Sequence, residues 1–197
     1  MRKRQRVPWR IAAGTAAGML IVAGAAAAAN LVIADFDSGK KPNALGGDFG
    51  SWDKDPSDPT QSCKIAFDQA NTMNGTGYAL RLDYDVDSPN PAYNGFWMKL
   101  QDMDLTLYQA LTVYIKGDAA RGFTPKIRLE LKNGAGEVGH YTLSGVTGQW
   151  QRVRIPLQEF DGLTDWSHMT ELVLVFDDAN SVPKTGTLYL DNMAFEG

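Results

Sequence analysis

Three aspartates near the two ends of the chain carry the clearest chemical signal. Asp35 and Asp37 stand in Leu31 to Asp37, and Asp191 stands in the closing stretch Leu188 to Phe195, read Leu-Tyr-Leu-Asp-Asn-Met-Ala-Phe. Both stretches are short, apolar and rich in strand-forming residues. If they pair as neighbours, Asp35 or Asp37 comes close to Asp191, and carboxylates that close repel unless a proton or a cation lies between them. A hard cation such as calcium, which takes carboxylate and carbonyl oxygens, would resolve the conflict. The simpler alternative is that Asp191 and Asn192 cap the end of a strand.

A second set of residues suits a different chemistry. Pyranose rings present an apolar C–H face and a rim of hydroxyls, so a sugar site needs aromatic platforms beside planar, charged hydrogen-bonding groups. Trp97, Tyr114, Arg128, Glu130, His140 and Asp177 are of those types. Each alone reads as a solvated outer-face residue, and only their convergence would make a site. Catalytic groups are few. The two histidines, His140 and His168, and the single cysteine, Cys63, form neither a Ser-His-Asp arrangement nor a zinc motif. A small glycoside hydrolase would need two carboxylates roughly 5 to 9.5 Å apart across a cleft, for which Glu130 with Glu137 or Asp177 are the candidates.

The elements that must position these groups are strands. Lys64–Phe67, Tyr78–Val86, Phe96–Leu100, Ala110–Lys116, Lys126–Lys132, Gly139–Leu143, Gln151–Leu157 and Glu171–Phe176 join the two terminal stretches, with turn residues between them. Helical periodicity is confined to one-turn pieces at Leu157–Phe160 and Thr164–Met169. Nine or ten short strands at this spacing predict an all-β fold, an antiparallel β-sandwich. Alternation sends Phe96, Met98 and Leu100 inward with Trp97 and Lys99 outward. It sends Ile127, Leu129 and Leu131 inward with Lys126, Arg128, Glu130 and Lys132 outward. In Ala110–Lys116 it turns Thr112 and Tyr114 outward, which predicts an exposed tryptophan and tyrosine in the same sheet. Ser38–Thr60 is rich in Gly and Pro and reads as a long surface excursion, with Leu45, Phe49 and Trp52 lying back on a sheet.

The chain opens with a basic run, Met1 to Arg10, and continues from Ile11 to Ala29 without a charge. That order, with Ala27 and Ala29 suited to cleavage, reads as a secretory signal peptide over residues 1–29. An uncleaved N-terminal membrane anchor is the competing reading, and the only one that places the protein on a membrane. The rest of the chain is expected to be secreted, periplasmic or at the cell surface. Residues 1–29 hold five of the 19 basic residues and none of the 23 acidic ones, so residues 30–197 carry a net charge of −9. Such a balance excludes nucleic acid and anionic lipid as expected partners. With Cys63 as the only cysteine, no internal disulfide can form, and one packed domain must hold itself together.

Asp35-Phe-Asp-Ser-Gly, Gly77-Tyr-Ala-Leu-Arg-Leu-Asp-Tyr, Asn94-Gly-Phe-Trp, Gln149-Trp-Gln-Arg-Val-Arg-Ile-Pro-Leu with Phe160, and Tyr189-Leu-Asp-Asn-Met follow one another in an order that resembles the family 11 carbohydrate-binding modules. The likeness extends to the wider group of galactose-binding-like jelly rolls and covers Val32 to Phe195. Asn43-Ala-Leu-Gly-Gly is also similar to the complex I intermediate-associated protein family, which implies the alternative of a secreted protein-interaction or assembly factor. The first resemblance implies a jelly-roll β-sandwich that binds a polysaccharide or oligosaccharide, β-glucan-like, in an open concave cleft without catalysis. Separately secreted glycoside hydrolases would be possible partners. It implies a structural calcium held by Asp37 and Asp191, with Asp35 as a third ligand, and cleft residues Tyr93, Phe96, Trp97, Tyr114, Arg128, Glu130, His140 and Asp177. Asp177 stands where that family has a tyrosine.

Overall fold

The computed structural model describes residues 29–197, so the expected signal peptide falls, except for its last residue, outside the described residues. Eleven strands follow: β1 (Leu31–Ala34), β2 (Phe49–Asp53), β3 (Ser62–Asp68), β4 (Ala79–Asp85), β5 (Tyr93–Met103), β6 (Ala110–Gly117), β7 (Lys126–Asn133), β8 (Val138–Ser144), β9 (Gln151–Pro156), β10 (Met169–Asp177) and β11 (Thr185–Glu196). One 3₁₀ turn, Leu157–Glu159, follows β9. The strands make two antiparallel sheets in the orders β3-β4-β11-β6-β9 and β2-β5-β10-β7-β8. The first half of β11 pairs with β4 and its second half with β1 along the same edge, so the two ends of the fold lie side by side.

Alternation within strands builds the core, because every second residue of a one-sided strand must face the partner sheet. Phe96, Met98 and Leu100 of β5, Leu172, Leu174 and Phe176 of β10, and Ile127, Leu129 and Leu131 of β7 pack against Leu80, Leu82, Leu188 and Leu190 of the opposite sheet. Tyr84 crosses the layer to stack on Phe176 at a centroid distance of 4.2 Å, and its hydroxyl donates to the Pro183 carbonyl at 3.0 Å. The all-β sandwich expected from the sequence is therefore the fold.

Three local readings need correction. Phe49–Asp53 is an edge strand paired with β5, where the sequence suggested surface loop. The ring of Phe49 inserts among Phe36, Phe67 and Phe96, at centroid distances of 5.7, 6.1 and 6.0 Å. This anchoring outweighs the turn preference of the flanking Gly, Asp and Pro residues. The opening strand, in turn, stops at Ala34. Phe36 adopts a left-handed backbone (φ 55°), which swings its ring into the core and leaves Asp35 and Asp37 in a turn beyond the strand.

The segment expected to give a turn of helix at Thr164–Met169 is instead held by one carboxylate. Glu137 accepts hydrogen bonds from the Thr164 hydroxyl, the Thr164 and Asp165 amides and the Asn133 side chain. These bonds, the Thr164 hydroxyl foremost, hold its carboxyl down to about 2. A depressed folded value means the contribution is present above the ordinary carboxyl range and is lost as pH falls toward 2. Glu137→Gln should therefore flatten the loss of melting temperature between about pH 4.5 and 2 relative to the unsubstituted chain, measured by thermal scans across that range.

Candidate functional site

The register of the second sheet arranges its outward side chains in rows that cross the strands. Lys99, Glu171 and Lys132 form the first row, from β5, β10 and β7. Gly50, Trp97, Val173, Glu130 and His140 form the second, and Trp52, Gly95, Val175, Arg128 and Thr142 the third. Tyr93 and Asp177 pair at the far end. The first row, Trp97, Val173 and Glu130 of the second, Trp52, Val175 and Arg128 of the third, and Tyr93 line an open cleft of about 490 Å³.

Small residues set the depth of this cleft and large ones its walls. Val173 and Val175 are short and make the floor. Each tryptophan lies over a glycine of the neighbouring strand, and the arrangement is reciprocal. Trp97 of β5 covers Gly50 of β2, where a Cβ would come within 3.1 Å of the indole. Trp52 of β2 covers Gly95 of β5, where a Cβ would come within 3.3 Å of its Nε1. Trp97 Nε1–H donates to the Ser51 carbonyl at 3.3 Å, fixing the ring, and Tyr93 meets Trp52 edge-on at 5.7 Å. Lys99 lies 5.5 Å from the centre of the Trp97 ring and Lys54 5.0 Å from that of Tyr93, both within cation–π range.

The charged groups are paired within the cleft. Glu171 accepts from Lys99 at 2.5 Å through one oxygen and from Lys132 at 2.9 Å through the other. Partial burial alone would raise its carboxyl, but the two lysine hydrogen bonds and charges outweigh burial and hold it below its ordinary value. Arg128 Nε donates to Glu130 Oε1 at 3.1 Å, and Nδ1 of His140 stands 3.6 Å from the same oxygen. A carboxyl kept ionised, as Glu171 is, is suited to accepting hydrogen bonds and poorly suited to delivering a proton as a general acid.

Tyr93, Trp97, Arg128 and Glu130 come together in the cleft, and exposed His140 extends their row at β8. Asp177 lies at its end, where its carboxylate accepts from the Ala179 and Asn180 amides and the Asn180 side chain and so caps the turn after β10. Two expected site residues lie elsewhere. Phe96 is wholly buried, because its neighbour Trp97 takes the outward position and alternation sends Phe96 into the core. Tyr114 belongs to β6 of the opposite sheet, paired with Asp191 and Arg152, so it shares no face with Trp97. Strand alternation shows a side but not which sheet a strand joins. Trp52, Lys99, Lys132 and Glu171 were not singled out from the sequence. The outward positions of Lys99 and Lys132 were readable, whereas Trp52 was hidden by the loop-like composition around it.

The three aspartates gather on the outer side of the first sheet. Asp191 is 2 % exposed, accepts from the Asn192 amide at 2.8 Å and receives a longer contact from the Met73 amide at 3.4 Å. Burial, first, and the nearby carboxylates of Asp37 and Asp35 push its carboxyl up to about 6. Gly77 adopts a left-handed backbone (φ 71°) that brings the loop after β3 directly against the Asp37 carboxylate, where any side chain would overlap it. Asp35 accepts from the Asp37 amide at 3.2 Å. Among the described residues no three His, Cys, Asp or Glu side chains are set to hold a metal by themselves. A hard cation there would need main-chain carbonyls or water for its remaining ligands.

Gly95 tests how the cleft is built. A methyl group there would overlap the Leu174 carbonyl in the β5–β10 ladder and press on Trp52. Gly95→Ala should destabilise the fold by about 1–3 kcal/mol in a denaturant titration, as overpacking does at tight sites.

Comparison with known proteins places this geometry. No curated protein sequence matches the chain at a significant level. Among solved structures, the chain is similar to the family 11 carbohydrate-binding module of the cellulosomal cellulase Lic26A-Cel5E of Clostridium thermocellum. The identity is 18 %, the TM-score 0.61, and the match covers 87 % of this chain and 96 % of that one. A family 11 carbohydrate-binding module from Clostridium thermocellum in complex with a β-1,3-1,4-mixed-linked tetrasaccharide matches at 18 % identity and a TM-score of 0.61, covering 87 % and 98 %. The CBM22-1 xylan-binding domain of Paenibacillus barcinonensis Xyn10C matches at 15 % identity and a TM-score of 0.51, covering 87 % and 97 %. These likenesses show the carbohydrate-binding-module jelly roll as a fold. The model of the family described as carbohydrate binding domain 30 matches residues 42–197, most of the chain and both sheets except β1, and the chain belongs to that family.

Proposed function

We propose that this protein binds a polysaccharide without transforming it, laying a β-glucan-like chain in the open cleft of the second sheet. The observation that carries the reading is the Trp97–Trp52 platform over Gly50 and Gly95, flanked by the Arg128–Glu130 pair. Flat rings fixed by backbone contacts offer a rigid apolar surface to a sugar face at little entropic cost. The neighbouring guanidinium and carboxylate offer planar donors and acceptors to its hydroxyls. Membership of the carbohydrate binding domain 30 family supports the class of ligand, and the tetrasaccharide complex of the similar module supports a β-linked glucan. In the same reading the protein is exported and acts at the cell surface or beside separately secreted glycoside hydrolases.

A structural calcium belongs to this proposal. Asp37 and Asp191, with Asp35, would hold it where the loop after β3 comes over both chain ends. The ion would neutralise carboxylates that otherwise repel. Asp191→Ala should then lower the melting temperature more in calcium than in chelator; an equal drop under both conditions would remove the metal from the proposal.

For the cleft, affinity electrophoresis in gels containing barley β-glucan, xyloglucan or xylan is the direct measurement. Trp97→Ala should weaken retention by the bound polymer roughly 30-fold, matching about 2 kcal/mol of lost apolar contact. The melting point should change far less than for a core truncation, because the ring lies outside the core, over Gly50 and the edge strand. If every gel passes the unsubstituted protein unretarded, the glycan reading fails.

A further inference from the structure

The charge of the cleft face runs against the charge of the molecule. Residues 30–197 carry 14 basic and 23 acidic side chains. The outward positions of the second sheet reverse that balance. Lys99, Lys132 and Arg128 line the cleft itself, with Glu130 and Glu171 as the only carboxylates among its lining residues. Lys126 stands with Arg128 and Asp177 in an adjoining hollow, and Lys54 lies over the Tyr93 ring at the rim. Lys41, 6.0 Å from the Trp97 ring, is balanced by Asp48 at 2.9 Å. Five cations therefore face four carboxylates once Glu137, in the hollow beside Lys99 and Lys132, is counted, and two of the four are already occupied: Asp177 in capping its turn and Glu137 in holding Thr164 and Asp165. The excess acid of the molecule lies on other surfaces, where water and salt screen it over about 10 Å.

The pairing leaves donors facing solvent. One carboxylate, Glu171, serves two lysines at once, so the Lys99–Glu171–Lys132 row keeps a net positive charge. Both lysines remain open to solvent, with 47 % and 35 % of their side chains exposed. Arg128 meets Glu130 through Nε, which leaves the terminal nitrogens of a guanidinium that is 40 % exposed for a second planar acceptor. Lys132 and Arg128 are four residues apart on β7, about 13 Å at strand rise, with Trp97 and Val173 in the row between them. That spacing suits two charges carried on different sugars of one chain, with the ring stacked on Trp97 between them.

We propose that the glycan this cleft prefers is acidic, a β-linked pyranose chain bearing carboxylate or sulfate groups. The Lys99–Lys132 row takes one anionic group and Arg128 another, while Trp97 takes the sugar face between. The inference rests on the reading of the cleft as a polysaccharide site and adds the charge of its ligand.

The test compares polymers with one backbone and different charge: hydroxyethylcellulose, cellulose oxidised at C6 to a β-1,4-glucuronan, and cellulose sulfate, in affinity gels run at low and raised salt. The expected result is at least about tenfold stronger retardation by an acidic polymer than by the neutral one, weakening as salt is raised. The glucuronan and sulfate gels decide which anion is read. Lys132→Gln and Arg128→Gln should each remove most of that preference. Lys132→Gln leaves Glu171 paired with Lys99, so the fold should hold, and a melting curve checks it. Trp97→Ala should weaken retention in all three gels. Equal retardation by neutral and acidic polymers, unaffected by the two charge variants, would overturn the acidic preference and leave the glycan site standing. Acidic polymers that retard Trp97→Ala as strongly as the parent would place the attraction outside the cleft and overturn the proposal. If none of these polymers nor the neutral glucans and xylan retards the protein, the glycan reading itself falls, and the acidic preference with it.

Discussion

Strand β10 governs both sides of the second sheet at once. Its inner residues, Leu172, Leu174 and Phe176, are locked in the core, and the two-residue period of a strand then leaves Val173 and Val175 facing out as the floor of the cleft. Because β5 and β7 pair with it on either side, its register decides which outward residues stand in line. A slip of one residue would move the whole apolar set to solvent, at a cost no cleft interaction could offset. The site is thus held in place by burial on the face that never meets a ligand.

The cleft surface depends on what is missing as much as on what is present. Glycine at 50 and 95 lets an indole from the adjacent strand lie down on the backbone, and the two strands exchange this favour in opposite directions. The rings become part of the sheet surface with few rotamers left to lose on binding. Around them, carboxylates are shared among cations, so charge is arrayed without a buried ion pair left uncompensated.

At the opposite sheet the same acidic chain meets the reverse situation. Asp191 is buried beside Asp37 and Asp35, and the charges that act on its carboxyl are acidic ones. This is where β1 and the second half of β11 bring the chain ends together, and where the loop after β3 folds over them. The outer side of the second sheet thus carries a row of cations around its cleft, while at the first sheet the carboxylates gather where the chain ends meet, beside the ion pairs of Arg81, Arg152 and Arg154.

Much of this was legible in the residues alone. Period-two alternation, turn residues between strands and the lack of helical period determine an all-β sandwich, and they determine which side of its own strand each of Trp97, Lys99, Arg128, Glu130 and Lys132 takes. The meeting of the chain ends is likewise readable from two short apolar stretches carrying aspartates. Tertiary structure alone decided which strands share a sheet, because hydrogen-bond pairing joins residues far apart in sequence and leaves no local trace. That is why Tyr114 groups with Trp97 in the sequence while lying on the opposite sheet; Phe96 enters the expected site through the family resemblance alone, against the alternation that already turns it inward. The same lack of a local trace kept Trp52 hidden. Its strand exists because Phe49 found a place in the aromatic core and β5 offered an open edge, two conditions met only once the rest of the chain has folded.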